Sequence, residues 1–108
     1  MILVVGGFAA GKRAYVRDVL GYAEERMSRN IDDDTPVFYG LESQPDTPLE
    51  KLLRKDVVIC DEIGCGLVPM DAGERQRREQ VGRLCIQLAK EADRVIRVVC
   101  GVGTVIKG

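Results

Sequence analysis

Short runs of apolar residues, each followed by a glycine turn or a helical stretch of period 3.6, most narrow the folds open to this chain. Ile2–Val5 is apolar throughout and empties into Gly6-Gly7. From Lys12 the spacing changes, and Val16, Val19, Leu20, Ala23 and Met27 fall on one helical face. This helix is expected to end near Arg29, before a polar run. Val37–Tyr39, Val57–Cys60 and Val95–Cys100 read as further strands. Between the first two, Thr47-Pro48-Leu49-Glu50 has the form of a helix start, with Thr47 as cap, Pro48 in the first position and Glu50 closing a capping box. The longest helix is expected from about Asp71 to Glu91, with Val81, Leu84, Cys85, Leu88, Ala89 and Ala92 as its apolar stripe. Gly101-Val102-Gly103 then turns the last apolar strand into a hairpin with Thr104–Lys107. Strands apolar on both faces, alternating with helices, imply an α/β fold of three layers around a mainly parallel sheet.

At 108 residues the expectation is one domain, 1–108, with one modest core. Sixteen basic residues against 17 acidic ones give a formal charge of −1. That balance argues against a binder of nucleic acid or of membrane surfaces. There is no Trp, so little ring surface is available for stacking bases. No apolar run approaches the ~20 residues of a membrane span, and the opening run is too short for a signal peptide. A cytoplasmic location is expected. Cys60, Cys65, Cys85 and Cys100 contain no CxxC pair and read as reduced thiols.

The opening MILVVGGFAAGKR places Gly6, Gly11 and Lys12 at the spacing of the phosphate-binding loop GxxxxGK[ST], after a strand and before an amphipathic helix. The fold class expected is therefore P-loop NTPase-like. Residues Gly6, Gly7, Phe8, Ala9, Ala10, Gly11, Lys12 and Arg13 would cradle the phosphates of ATP or GTP, with Lys12 reaching the outer ones. Ligands of such sheets sit beyond the carboxyl ends of the strands, where Gly64–Gly66 and Gly101–Gly103 should join the first loop. The stretch VVICDE has the form of a Walker B strand. In that role Asp61 would hold Mg²⁺ and Glu62 would polarise a water or hydroxyl; the alternative is a solvated strand end.

Arg13 departs from the motif. It stands where a hydroxyl ligates Mg²⁺, and a guanidinium has only donors to offer. It either points away along the helix or touches phosphate and takes over part of the cation's charge. Mg²⁺ is accordingly a weak expectation, and binding is better supported than catalysis. Arg75, Arg77, Arg78 and Arg83 read as a solvated helix face, and Asp32-Asp33-Asp34 as an exposed acidic turn.

These residues and the C-terminal half resemble the adenosylcobinamide kinase/adenosylcobinamide-phosphate guanylyltransferase family. MILVVGGFAAGK is similar to that family's MILVTGGARSGKS start, and DEIGCGLVP to its NEVGxGIVP. Val81-Gly82-Arg83-Leu84, Leu88-Ala89, Ala92-Asp93-Arg94-Val95, Gly101-Val102-Gly103 and Ile106-Lys107 follow in matching order. The resemblance implies a P-loop domain, a trimer, and phosphorylation of a corrinoid side-chain hydroxyl by a nucleoside triphosphate. It carries the phosphate-binding role onto Gly6, Gly7, Gly11 and Lys12. The family's guanylyl transfer runs through a histidine, and this chain has none. The segment that bears it in the family is missing between the second strand and Val57. Cys85 stands where the family has Asn. The expected function is a nucleotide-binding, kinase-like protein of cobalamin biosynthesis without histidine-mediated guanylyl transfer. The alternative is a non-catalytic oligomeric assembly or regulatory module retaining the fold.

Overall fold

A computed structural model describes residues 1–61 and 72–108. In chain order its elements are β1 (Ile2–Gly6), α1 (Lys12–Asp18), β2 (Met27–Ser28), β3 (Val37–Tyr39), α2 (Leu49–Leu53), β4 (Val57–Asp61), α3 (Ala72–Glu91), β5 (Arg94–Val99) and β6 (Val102–Lys107). Single 3-10 turns lie at Glu24–Arg26 and Leu41–Ser43. One sheet runs in the order β2-β3-β4-β1-β5-β6. All neighbours are parallel except β5 and β6, which form the antiparallel hairpin.

Neighbouring residues of a strand face opposite sides of the sheet, which explains why the central strands are apolar throughout. Leu3, Val58, Cys60 and Val95 lie in the cluster that holds Leu84 and Leu88 of α3 and Leu52 of α2. Val4, Val57, Ile59, Ile96 and Val98 lie in the cluster that holds Val16 of α1. Three layers result, with β1 at the centre of the sheet.

The expected elements occur with four differences. The first helix stops at Asp18 instead of reaching Arg29. Val19 is exposed, and Gly21 takes the left-handed backbone (φ +84°) that a helix cannot continue through. Met27, expected on that helix, is instead half of the two-residue strand β2 and is in register with Val37. The Thr47 hydroxyl donates to the Gln44 carbonyl (2.8 Å) and does not cap α2, whose preceding residue is Pro48 in extended backbone. The hairpin turn is tighter than expected: Cys100 (φ +50°) and Gly101 (φ +77°) make it alone, and β6 starts at Val102. The expected loop Ile63–Pro69 and the helix start at Asp71 lie outside the described residues. No described helix is long and apolar enough to cross a membrane.

Candidate functional site

The site begins where β1 leaves the sheet. Gly6 is in register with Asp61 on one side and Val98 on the other. A Cβ at Gly6 would stand 2.5 Å from the Val98 carbonyl oxygen, so the close fit of three strands demands glycine there. The chain then doubles back. The Ala10 amide donates to the Gly7 carbonyl (3.1 Å), Ala9 has φ +58° and Gly11 has φ +87°. Only glycine takes the last angle at little cost, and it lets α1 open at Lys12. Among the described residues the amides of Phe8, Ala9, Gly11, Lys12 and Arg13 donate to no backbone acceptor. Phe8 is exposed at the loop tip.

Lys12 is the one buried charged residue among those described. Its Nζ donates to the Gly7 carbonyl (2.6 Å) and pairs with Asp61 Oδ1 (2.5 Å). The parallel register explains the meeting, because it sets Asp61 level with the residue at which the loop starts. Asp61 is held in turn by Glu42, whose Oε1 accepts the Asp61 backbone N–H (2.9 Å). Glu42 sits on the 3-10 turn that follows β3, so the turn folds over the end of β4.

Arg13, next along α1, lies over the Tyr39 ring and lines the same cleft as the loop. Its guanidinium carbon lies 5.0 Å from the centre of the Tyr39 ring, and that of Arg29 lies 5.8 Å from the same ring. Arg29 also donates to the Ser43 hydroxyl (3.3 Å). Loop residues 8–13 and these side chains line a cleft of about 690 Å³ at the carboxyl edge of the sheet, with Asp61 and Glu42 in its wall.

The other residues singled out from sequence fall as follows. Gly101 meets the first loop, its amide donating to the Ala10 carbonyl (2.8 Å). Glu62, Cys65, Gly64 and Gly66 lie outside the described residues. Asp32 pairs with Lys51 (2.8 Å), and Asp33 accepts from Ser28 and Asn30, so that turn is built on its own contacts. Arg83 is exposed and, among the described residues, makes an i,i+4 pair with Glu79 (3.6 Å). Cys85 Sγ lies 3.5 Å from Cys60 Sγ behind β4. That contact, together with burial, pushes the Cys60 thiol far above the ordinary thiol range. Sequence reasoning missed Arg29, Tyr39 and Glu42 because it sought glycine-bearing loops. Position offers a signal for Tyr39 alone, which ends β3; Arg29 follows the two-residue β2, which leaves no pattern, and Glu42 lies three residues past β3 on the 3-10 turn.

A parallel α/β sheet with a glycine turn and a buried lysine at the exit of its central strand is the P-loop NTPase-like fold. The family described as cobinamide kinase / cobinamide phosphate guanyltransferase matches residues 41–106, and the chain belongs to it. It is 33% identical over 81 residues to the bifunctional adenosylcobalamin biosynthesis protein CobU of Salmonella typhimurium. The alignment covers 75% of this chain and 41% of that protein, so the chain spans less than half of its relative.

Members of this fold class use Mg²⁺ with the nucleotide. Among the described residues no three His, Cys, Asp or Glu gather as ligands. Asp61 is already paired with an ammonium, and the motif's hydroxyl position holds a guanidinium. Among the described residues these donors do not make a site for a magnesium ion held by the protein.

Proposed function

We propose that this chain binds a nucleoside triphosphate, ATP or GTP, as a kinase-like member of its family acting in cobalamin biosynthesis. The observation that carries this reading is Lys12, a buried ammonium at the neck of the glycine loop, paired with Asp61. Gly6, Gly7, Phe8, Ala9, Ala10, Gly11, Lys12 and Arg13 form the phosphate cradle. On binding, Lys12 exchanges its protein partners for the outer phosphates. Lys12 and Glu62 are the candidates for catalysis, with Asp61 facing the phosphates, and a corrinoid hydroxyl is the acceptor. The chain supplies no histidine to carry a guanylyl group.

Titration calorimetry with ATP and GTP, each with and without Mg²⁺, is the test. Heat of binding that disappears in Lys12→Ala is expected; no heat for either nucleotide under either condition rejects the reading.

A second reading, a non-catalytic module that assembles as an oligomer, is favoured by β6. This sheet edge exposes Val102, Val105 and Ile106. On this reading the oligomer is a trimer, the assembly the family resemblance implies. Sedimentation would find an assembly indifferent to nucleotide. Phosphorylation of adenosylcobinamide by the purified protein, lost in Lys12→Ala, would decide against it.

A further inference from the structure

Two guanidiniums stand in the cleft without a carboxylate partner among the described residues. Arg13 and Arg29 lie against one ring, Tyr39, at 5.0 Å and 5.8 Å from its centre. The acidic groups of the cleft are otherwise engaged. Asp61 pairs with Lys12, Glu24 with Arg17 (3.3 Å), and Glu42 accepts the Asp61 amide. Contact with a ring face orients these groups without neutralising them. Two guanidiniums carry the same charge as one divalent cation. Each offers a planar fork of donors that matches two phosphate oxygens. The residue that displaces the metal-ligating hydroxyl from the motif is itself one of the pair.

We propose that Arg13 and Arg29, gathered on Tyr39, stand in for the divalent cation, so that the cleft takes a free nucleoside triphosphate in preference to its magnesium complex. This rests on the nucleotide-binding reading above. Magnesium on the outer phosphates would occupy the oxygens the guanidiniums take.

Calorimetric titration of the full chain with ATP, once in chelator and once in excess Mg²⁺, tests the preference. Affinity in chelator is expected to exceed that in Mg²⁺ by about tenfold or more, with Mg²⁺ competing for the ligand's oxygens. Arg13→Ser, which restores the hydroxyl of the motif, should reverse the order. Arg29→Gln should weaken binding of free ATP by about tenfold, in keeping with one lost charged fork. Inorganic triphosphate in chelator should compete with ATP, as it presents the same oxygens without the base. Tighter binding in Mg²⁺ than in chelator overturns the inference while leaving nucleotide binding intact. An unchanged order in Arg13→Ser also overturns it, and that exposed side chain can be replaced without opening the core. If ATP binds under neither condition, both readings fall.

Discussion

Lys12 and Asp61 show at the level of single residues how the loop keeps its shape. With the ammonium removed, Asp61 remains beside it, about three-quarters shielded, with no cation to offset its charge. Lys12→Met is expected to lower stability by about 1–3 kcal/mol. Lys12→Met/Asp61→Asn should recover most of the loss, because the uncompensated charge goes too; urea unfolding of the three proteins checks this. A different residue reports on pH. Burial, together with the charge and hydrogen bond of Asp56 (3.3 Å), raises the Tyr22 phenol above its ordinary value. A raised value in the fold means that the folded chain holds its proton longer than the unfolded chain does. The stabilisation is complete below the usual tyrosine value of about 10 and is lost as pH rises through the folded value. Phenolate absorbance should therefore contain a late component that Tyr22→Phe abolishes.

Elements differ in how far the sequence announces them. The stripe of α3 is read directly from its period: Val81, Leu84 and Leu88 are buried as expected, Cys85 and Ala89 are half-buried, and Ala92 is buried one residue past the helix. Leu88 is fully enclosed between helix and sheet, so Leu88→Ala is expected to cost about 2–5 kcal/mol by thermal or denaturant unfolding. The strands β1, β4 and β5 are equally legible, since being buried on two faces requires unbroken apolar runs. The end of α1 was not, because Val19 and Leu20 continue the helical spacing while Gly21 ends the helix. Strand β2 was hidden for another reason. Two residues leave no pattern, and Met27–Ser28 becomes a strand only by pairing with Val37–Phe38. The glycine loop was visible as a motif, whereas Arg29, Tyr39 and Glu42 were not. Their meeting depends on the strand order β2-β3-β4, and no local signal encodes that order.

At the scale of the whole molecule, the sheet brings residues from distant parts of the chain to one rim. Its two ends are unlike: β2 is two residues long, whereas β6 has six and leaves most of its side chains in solvent. The hairpin that β6 completes is more than a margin. At its tip the Gly101 amide donates to the Ala10 carbonyl (2.8 Å), so the last strand pair is fastened to the first loop across 91 positions of sequence. Hydrogen exchange at Gly101 should slow when a ligand settles among residues 8–12, and mass spectrometry of that peptide would register it without a label. The same linkage means that loosening the C-terminal hairpin, far along the chain from Lys12, would unsettle the glycine loop at the other end of the sequence.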